Sequence, residues 1–270
     1  MAIARPPTHS SLADTLHALV LQHGTAAGVS PFPSIDLAIA AFPPNAPPVY
    51  ANVLFSREHP QGVIADIGPQ AGSVRNIHFV SDLRDDAGNS LVWPRGADWN
   101  ALPWRTLQAG PDTRQRMVAP YPASLLKTMV ALGVGLAIDG GRADWQQAAT
   151  YENETCTVAA WCERMLTISC NTATSAMVML LHRTGDLTAE GGPLQHALTA
   201  WGLHTLRIAD TTAAGGWRNA DGSGVGHIEM TAWDAVRLFW LLDAAAPAPP
   251  WLAADAPRLS SSSTFVLRAM

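Results

Sequence analysis

The chain has 270 residues, 48% hydrophobic and 14% charged, with 17 basic and 22 acidic side chains and a formal net charge of −5. That is enough chain to bury a sizeable core under a modestly charged surface. The absence of a basic run argues against nucleic acid as a partner, and no apolar stretch reaches the roughly 18–20 residues that a bilayer span needs.

The first residues, Met1 to Pro7, do not read as a signal peptide, and the next apolar stretch, Leu12 to Leu21, is interrupted by Asp14 and His17. Ser10 to Gln22 is expected to form an amphipathic helix with Leu12, Leu16, Leu19 and Val20 on one face and Ser10 or Ser11 as its cap. Asp36 to Phe42 and Val49 to Phe55 read as two strands joined by a proline-rich turn. His78 to Leu83 and Ser90 to Trp93 flank a turn-forming stretch and suggest a hairpin, and residues 94–119 read as irregular.

Ala123 to Asp139 is the strongest helix in the sequence. Pro120 and Pro122 precede it, Gly140-Gly141 end it, and its side chains are apolar almost all round, so it should lie in the middle of a domain. Val158 to Leu166 is a second helix. A break follows over Thr167 to Asn171, then a helix over Thr172 to His182 that stops at Thr184-Gly185, and another over Leu194 to Trp201. Residues 209–227 form a glycine-rich loop, Thr231 caps a helix running to Leu242 with Asp234 three residues on, 244–257 is an Ala/Pro-rich linker, and Ser260 to Ser263 open a last helix. Strands near the N-terminus followed by a block of helices predict an α+β fold, an antiparallel sheet against a helical lobe. The reading divides the chain into an N-terminal helix and lead-in over 1–29 and one domain over 30–270, whose helical lobe spans about 120–243.

The chain contains a single lysine, Lys127, against 16 arginines, and it stands three residues after Ser124 at the start of the central helix. Arginine does not give up its proton in a protein, whereas a buried lysine can. A neutral amine one helical turn from a serine hydroxyl is a general base beside a nucleophile. A helix N-terminus also favours developing negative charge. A second element, Ser169-Cys170-Asn171, falls in the break between two helices, where Asn171 or Thr172 could equally serve as a helix cap.

Other chemistry is less well supported. The three cysteines, Cys156, Cys162 and Cys170, do not suggest a disulfide framework; a Cys156–Cys162 pair and free buried thiols both stay open. No Cys/His set has zinc-ligand spacing, and neither a metal nor another cofactor is expected. The Gly-x-Ser-x-Gly elbow of α/β-hydrolases is lacking, and Ser223 in Asp221-Gly222-Ser223-Gly224 reads as a turn.

Together, Pro122-Ala123-Ser124-Leu125-Leu126-Lys127 opening an apolar helix, and Met165 to Ala176 carrying Ser169-Cys170-Asn171, resemble the serine β-lactamase and penicillin-binding D-Ala-D-Ala peptidase superfamily, class A β-lactamases in particular. Asp221 to Gly224 before a Thr-capped helix is a looser likeness. The resemblance covers about residues 118–243 well and 30–95 faintly.

It implies a β-lactamase-like fold and an acyl-enzyme formed by Ser124 on a β-lactam or an acyl-D-Ala peptide, small-molecule substrates of extracytoplasmic enzymes. Lys127 would take the Ser124 proton, Ser169 would relay a proton to the leaving nitrogen, and Asn171 would hold the substrate amide. The backbone N–H of Ser124 would supply half of an oxyanion hole. Three departures accompany it. The family's third motif, Lys or His, then Ser or Thr, then Gly, on a late strand, is not found before Met270, so the resemblance implies missing C-terminal strands. Arg183-Thr184-Gly185 reads instead as a helix C-cap. No Glu-x-x-Leu-Asn follows Ser169; Glu190 and Glu229 read as solvated surface groups. Finally, Cys170 occupies a position where class A enzymes commonly have an acid. A non-catalytic β-lactam or peptidoglycan-binding relative, or an inactive truncated enzyme, is the alternative.

Overall fold

A computed structural model describes residues 8–26, 35–56, 59–80, 101, 104–110, 116–119, 121–188, 191–217, 228–256 and 258–270. In chain order the elements are α1 (His9–Ala26), β1 (Ile35–Ala41), β2 (Val49–Phe55), β3 (Val63–Ile64), β4 (Ile77–Val80), β5 (Trp104–Gln108) and β6 (Met117–Val118). There follow α2 (Leu126–Asp139), β7 (Ala148–Tyr151), β8 (Glu154–Thr157), α3 (Val158–Thr167), α4 (Asn171–Thr184) and α5 (Gly192–Ala200). The remainder comprises β9 (Arg207–Ile208), β10 (Thr211–Thr212), β11 (Gly216–Trp217), β12 (Ile228–Glu229), α6 (Ala232–Leu242) and α7 (Ser261–Ala269). The fold is α+β, with seven helices and small, mostly antiparallel sheets among the described residues. None of these helices is long and apolar enough to cross a membrane. The chain divides into two units, one from residues 1–79, 98–119 and 231–252, the other from 80–97, 120–230 and 253–270.

The first unit is built on the β1–β2 hairpin. The prolines at 43, 44, 47 and 48 end one strand and start the next, and the ladder runs from Ile35 opposite Phe55 to Ala41 opposite Val49. β2 is the central strand of β1-β2-β3 and is buried at six of its seven positions. Helix α1 packs on β2. Its cap is Thr8 rather than Ser10 or Ser11: Thr8 Oγ1 accepts from Ser11 N at 3.2 Å and Ser11 Oγ accepts from Thr8 N at 2.9 Å, a reciprocal box. Leu19, expected on the apolar face, is 46% exposed, whereas Ala13 is buried. Gly62 permits the close approach beneath α1, since a Cβ there would stand 2.5 Å from the Phe55 ring.

Polar groups lock α6 to this sheet. The buried Asn52 donates to Asp36 Oδ1 at 2.6 Å, and Asp36 Oδ2 accepts from Ala232 N, the first residue of α6, at 3.3 Å. Burial pushes the Asp36 carboxyl up to about 6, opposed by those two donors. Thr231 caps α6 as expected, accepting from Asp234 N at 3.2 Å. On the buried side, Asp234 and Arg237 form an ion pair at 2.7 Å with both side chains 1% exposed, and the guanidinium lies 4.4 Å from the Trp251 ring centroid.

The expected hairpin over 78–93 lies mostly outside the described residues. Its first strand, β4, pairs in parallel with β6 (Ile77 opposite Met117) and neighbours β5. Residues 94–119 are therefore not irregular throughout: they hold β5 and β6.

In the second unit α2 is buried nearly all round, as its composition predicts, and packs against α3, α4 and α7. Gly133 lets neighbours approach closely, a Cβ there standing 2.9 Å from Leu181 Cδ1 and 3.0 Å from Leu194 Cδ2. Asp139, at the end of α2, accepts from Ser260 N, Ser260 Oγ and Ser263 Oγ, each at 2.6 Å, and so holds the N-terminus of α7. The β7–β8 hairpin, unforeseen in the sequence, precedes α3, and Trp161 Nε1 of α3 donates to Ala149 O of β7 at 2.9 Å. Gly185, in a left-handed conformation, caps the C-terminus of α4, so Arg183-Thr184-Gly185 is a helix end as read. All three cysteines are free thiols.

Candidate active site

Ser124 sits in a single 3-10 turn, Ala123–Leu125, that runs directly into α2, and Lys127 is the second residue of that helix. The three-residue spacing places both side chains on one face. Ser169 and Asn171 come from the break between α3 and α4, and the packing of α2 against both helices brings that break to the start of α2. The break is shaped by its own backbone: Cys170 N donates to Arg164 O at 3.2 Å, while Thr174 Oγ1 donates to Cys170 O at 2.9 Å.

All four expected residues converge. Lys127 Nζ lies 2.8 Å from Ser124 Oγ, 3.1 Å from Ser169 Oγ and 2.9 Å from Asn171 Oδ1. Ser169 Oγ is 2.8 Å from Ser124 Oγ. The amine and the two hydroxyls form a closed triangle in which a proton on any corner can reach either of the others. Asn171 does not cap α4, whose N-cap is Cys170 without a side-chain bond; Asn171 lies inside the first turn and its amide oxygen is tied to the amine. The group left for a ligand is its NH₂.

Two residues at the cluster are left-handed. Ala123, immediately before Ser124, has φ +48°, and Ser169 has φ +56°. Such conformations cost roughly 1–3 kcal/mol each and persist where surrounding structure imposes them. Sequence reasoning had no means to find them, because neither alanine nor serine marks positive φ.

Lys127 is 3% exposed while Ser124 is exposed. Burial holds the amine below its ordinary range, opposed in part by the nearby Cys170 sulfur. A desolvated ammonium is disfavoured relative to the neutral amine, the form able to accept the Ser124 proton.

A cavity of about 330 Å³ opens on Ser124, Lys127 and Ser169. Its other walls include Pro122, Leu125, Met165 and Leu166.

No family model, curated protein or solved structure matches the chain.

Of Glu190, Asp221 and Glu229, the acids named from the sequence beside the two motifs, only Glu229 falls within the described residues. Glu190 and Asp221 lie outside the described residues, as does the Asp221 to Gly224 turn. Glu229 is not a solvated surface group: it is 1% exposed on β12, opposite Arg207 of β9. The residues around it come from distant parts of the chain, which is why its burial was not legible locally. Arg207 Nη1 stands 3.8 Å from Glu229 Oε1, too long for a hydrogen bond. Burial raises the Glu229 carboxyl from 4.5 to about 7, with Arg207 opposing the shift.

A raised acid binds its proton more tightly folded than unfolded. Its favourable contribution is therefore complete below the unfolded value and is lost as pH rises through the folded one. Glu229→Gln is accordingly expected to raise stability at pH 8 by up to about 3 kcal/mol and to change it little at pH 4. Denaturant melts at the two pH values check this. An equal change at both would show that ionisation of Glu229 is not the cause. Among the described residues, no group of three or more His, Cys, Asp or Glu side chains is placed to hold a metal ion.

Proposed function

We propose that this protein is a serine acyl-transfer enzyme of the β-lactamase and penicillin-binding peptidase type, with Ser124 as nucleophile and Lys127 as general base. The observation that carries the reading is the convergence on one amine of Ser124, three residues away, with Ser169 and Asn171, 42 and 44 residues away. The order of the two motifs, Ser-x-x-Lys on a buried helix and Ser-x-Asn between two helices, supports the same family and its fold.

In the proposed reaction Lys127 Nζ takes the proton as Ser124 Oγ bonds to the carbonyl carbon of a β-lactam or an acyl-D-Ala peptide. The negative charge develops beside the N-terminus of α2, where the helix dipole favours it. Ser169 Oγ, within hydrogen-bond reach of both groups, passes a proton to the departing nitrogen as the C–N bond breaks. Water then cleaves the acyl-enzyme, returning the proton to Ser124.

The test is intact mass after incubation with benzylpenicillin. The native chain is expected to gain one penicillin and Ser124→Ala none. Decay of the adduct marks a hydrolase, and a permanent one marks the penicillin-binding alternative. If folded native protein gains no mass, or the Ser124→Ala protein gains the same, Ser124 is not the nucleophile toward this substrate.

A further inference from the structure

We infer that two copies of this chain pair through the outer edge of β1, antiparallel and centred on Ala38, so that two β1-β2-β3 sheets become one. The pairing is independent of the Ser124 reading.

Hydrogen bonds define the edge. β1 is the outer strand of its sheet. Asn52 of β2 stands opposite Ala38 but turns its carbonyl toward β3, accepting from Ala65 N at 2.9 Å. Ala38 and Asn52 therefore exchange no backbone bonds. The alternation of an antiparallel ladder then gives the β1–β2 bonds to Ile35, Leu37, Ile39 and Ala41. The backbone N–H and C=O groups of Asp36, Ala38 and Ala40 point outward, and among the described residues no strand pairs with them.

The usual guards of such an edge are missing. β1 carries no proline and no basic residue. Its one charged side chain, Asp36, is engaged inward by Asn52 Nδ2 and Ala232 N. On the face opposite Asp36, Leu37 and Ile39 are 38% and 36% exposed, while α1 packs on β2 and β3.

A second copy is the occupant that fits, because this pattern is symmetric about Ala38. With Ala38 opposite its own counterpart, Asp36 faces the partner's Ala40 and Ala40 faces the partner's Asp36. Each of these facing pairs exchanges two backbone bonds, and every outward group is satisfied. Leu37 falls opposite the partner's Ile39 at a position without backbone bonds, where side chains approach most closely, so the exposed apolar pair of each copy covers that of the other. No charged side chain meets another across the join.

Sedimentation equilibrium on the native chain is the test. Its average mass is expected to climb from one chain toward two between about 1 μM and about 1 mM. Leu37→Lys with Ile39→Lys, at two exposed positions, should weaken association at least about tenfold with an unchanged circular dichroism spectrum. Cysteine variants test the register, whatever the lysine protein does. Mild oxidation of Leu37→Cys mixed with Ile39→Cys should join position 37 of one copy to position 39 of the other, as peptide masses report, and neither variant alone should do so. The amides of Asp36, Ala38 and Ala40 should exchange more slowly with deuterium as protein concentration rises. A native chain that stays single at about 1 mM overturns the inference, as does association unmoved by the lysines in a folded protein or a mixture that fails to cross-link. Slow exchange of the three amides independent of concentration also overturns it, by placing some other segment on the edge.

Discussion

Lys127→Arg is expected to slow acylation of Ser124 by roughly 10²- to 10⁴-fold, the range attributable to a positioned general base. The substitution keeps a cation and several N–H donors, so a structural or merely electrostatic role for Lys127 would survive it in part. What it removes is the ability to be neutral, because a guanidinium does not surrender its proton in a protein. Since arginine is longer and the site is buried, Lys127→Met is the companion variant: it nearly conserves volume, deletes the amine, and should lose acylation to the same degree while remaining folded. Rates come from the growth of the acylated mass with time. An arginine variant that acylates within about threefold of the native rate would rule out proton abstraction by this residue. The pH dependence has a fixed sign. Burial holds Lys127 below the ordinary amine value of 10.5, so acylation should rise with pH as the amine loses its proton, with an inflection below 10.5.

The second large effect concerns stability. Asp234→Ala is expected to destabilise the protein by about 3–5 kcal/mol, the cost of removing one partner of a buried ion pair. Arg237 is 1% exposed, donates to Asp234 Oδ1 at 2.7 Å and to Ser73 Oγ at 3.3 Å, and lies 4.4 Å from the Trp251 ring centroid. Removing Asp234 takes away the carboxylate that accepts from this buried guanidinium at 2.7 Å. Burial already lowers the Arg237 pKa, with Asp234 opposing the shift. Replacing both, Asp234→Leu with Arg237→Met, should recover most of the loss, because the desolvation of two ions disappears with the pair. Urea titrations of the single and double variants measure both quantities. A single-variant loss under about 1 kcal/mol would mean that water reaches the arginine and the pair contributes little.

Much of the site was readable from local pattern. The apolar run of α2 bounded by prolines and Gly140-Gly141, the break at Ser169, and the lone lysine three residues from Ser124 are all short-range signals. The β1–β2 hairpin was legible for the same reason, with prolines punctuating two apolar runs.

What escaped was set by contacts distant in sequence or by backbone conformation. β6 is only two residues long and pairs in parallel with β4, roughly forty residues upstream. The short pairs β9–β12 and β10–β11 lie in or beside a stretch whose glycines read only as loop. The burial of Glu229 depends on a strand partner more than twenty residues away. The positive φ at Ala123 and Ser169 falls on residue types that do not themselves prefer it. The cap of α1 was displaced from the expected serines to Thr8 because two hydroxyl side chains close a reciprocal box one turn earlier.

The central claim, that Lys127 is the base beside Ser124, can be tested with unusual directness because the chain has a single lysine. Labelling with lysine carrying ¹³C at Cε gives one side-chain resonance, whose chemical shift against pH is the titration of Lys127 alone. The account predicts a midpoint below 10.5, and a Ser124→Ala protein that keeps it depressed, since burial is the main cause. A midpoint at or above 10.5 would leave Lys127 an ammonium throughout the neutral range, unable to take the Ser124 proton, and would contradict the mechanism.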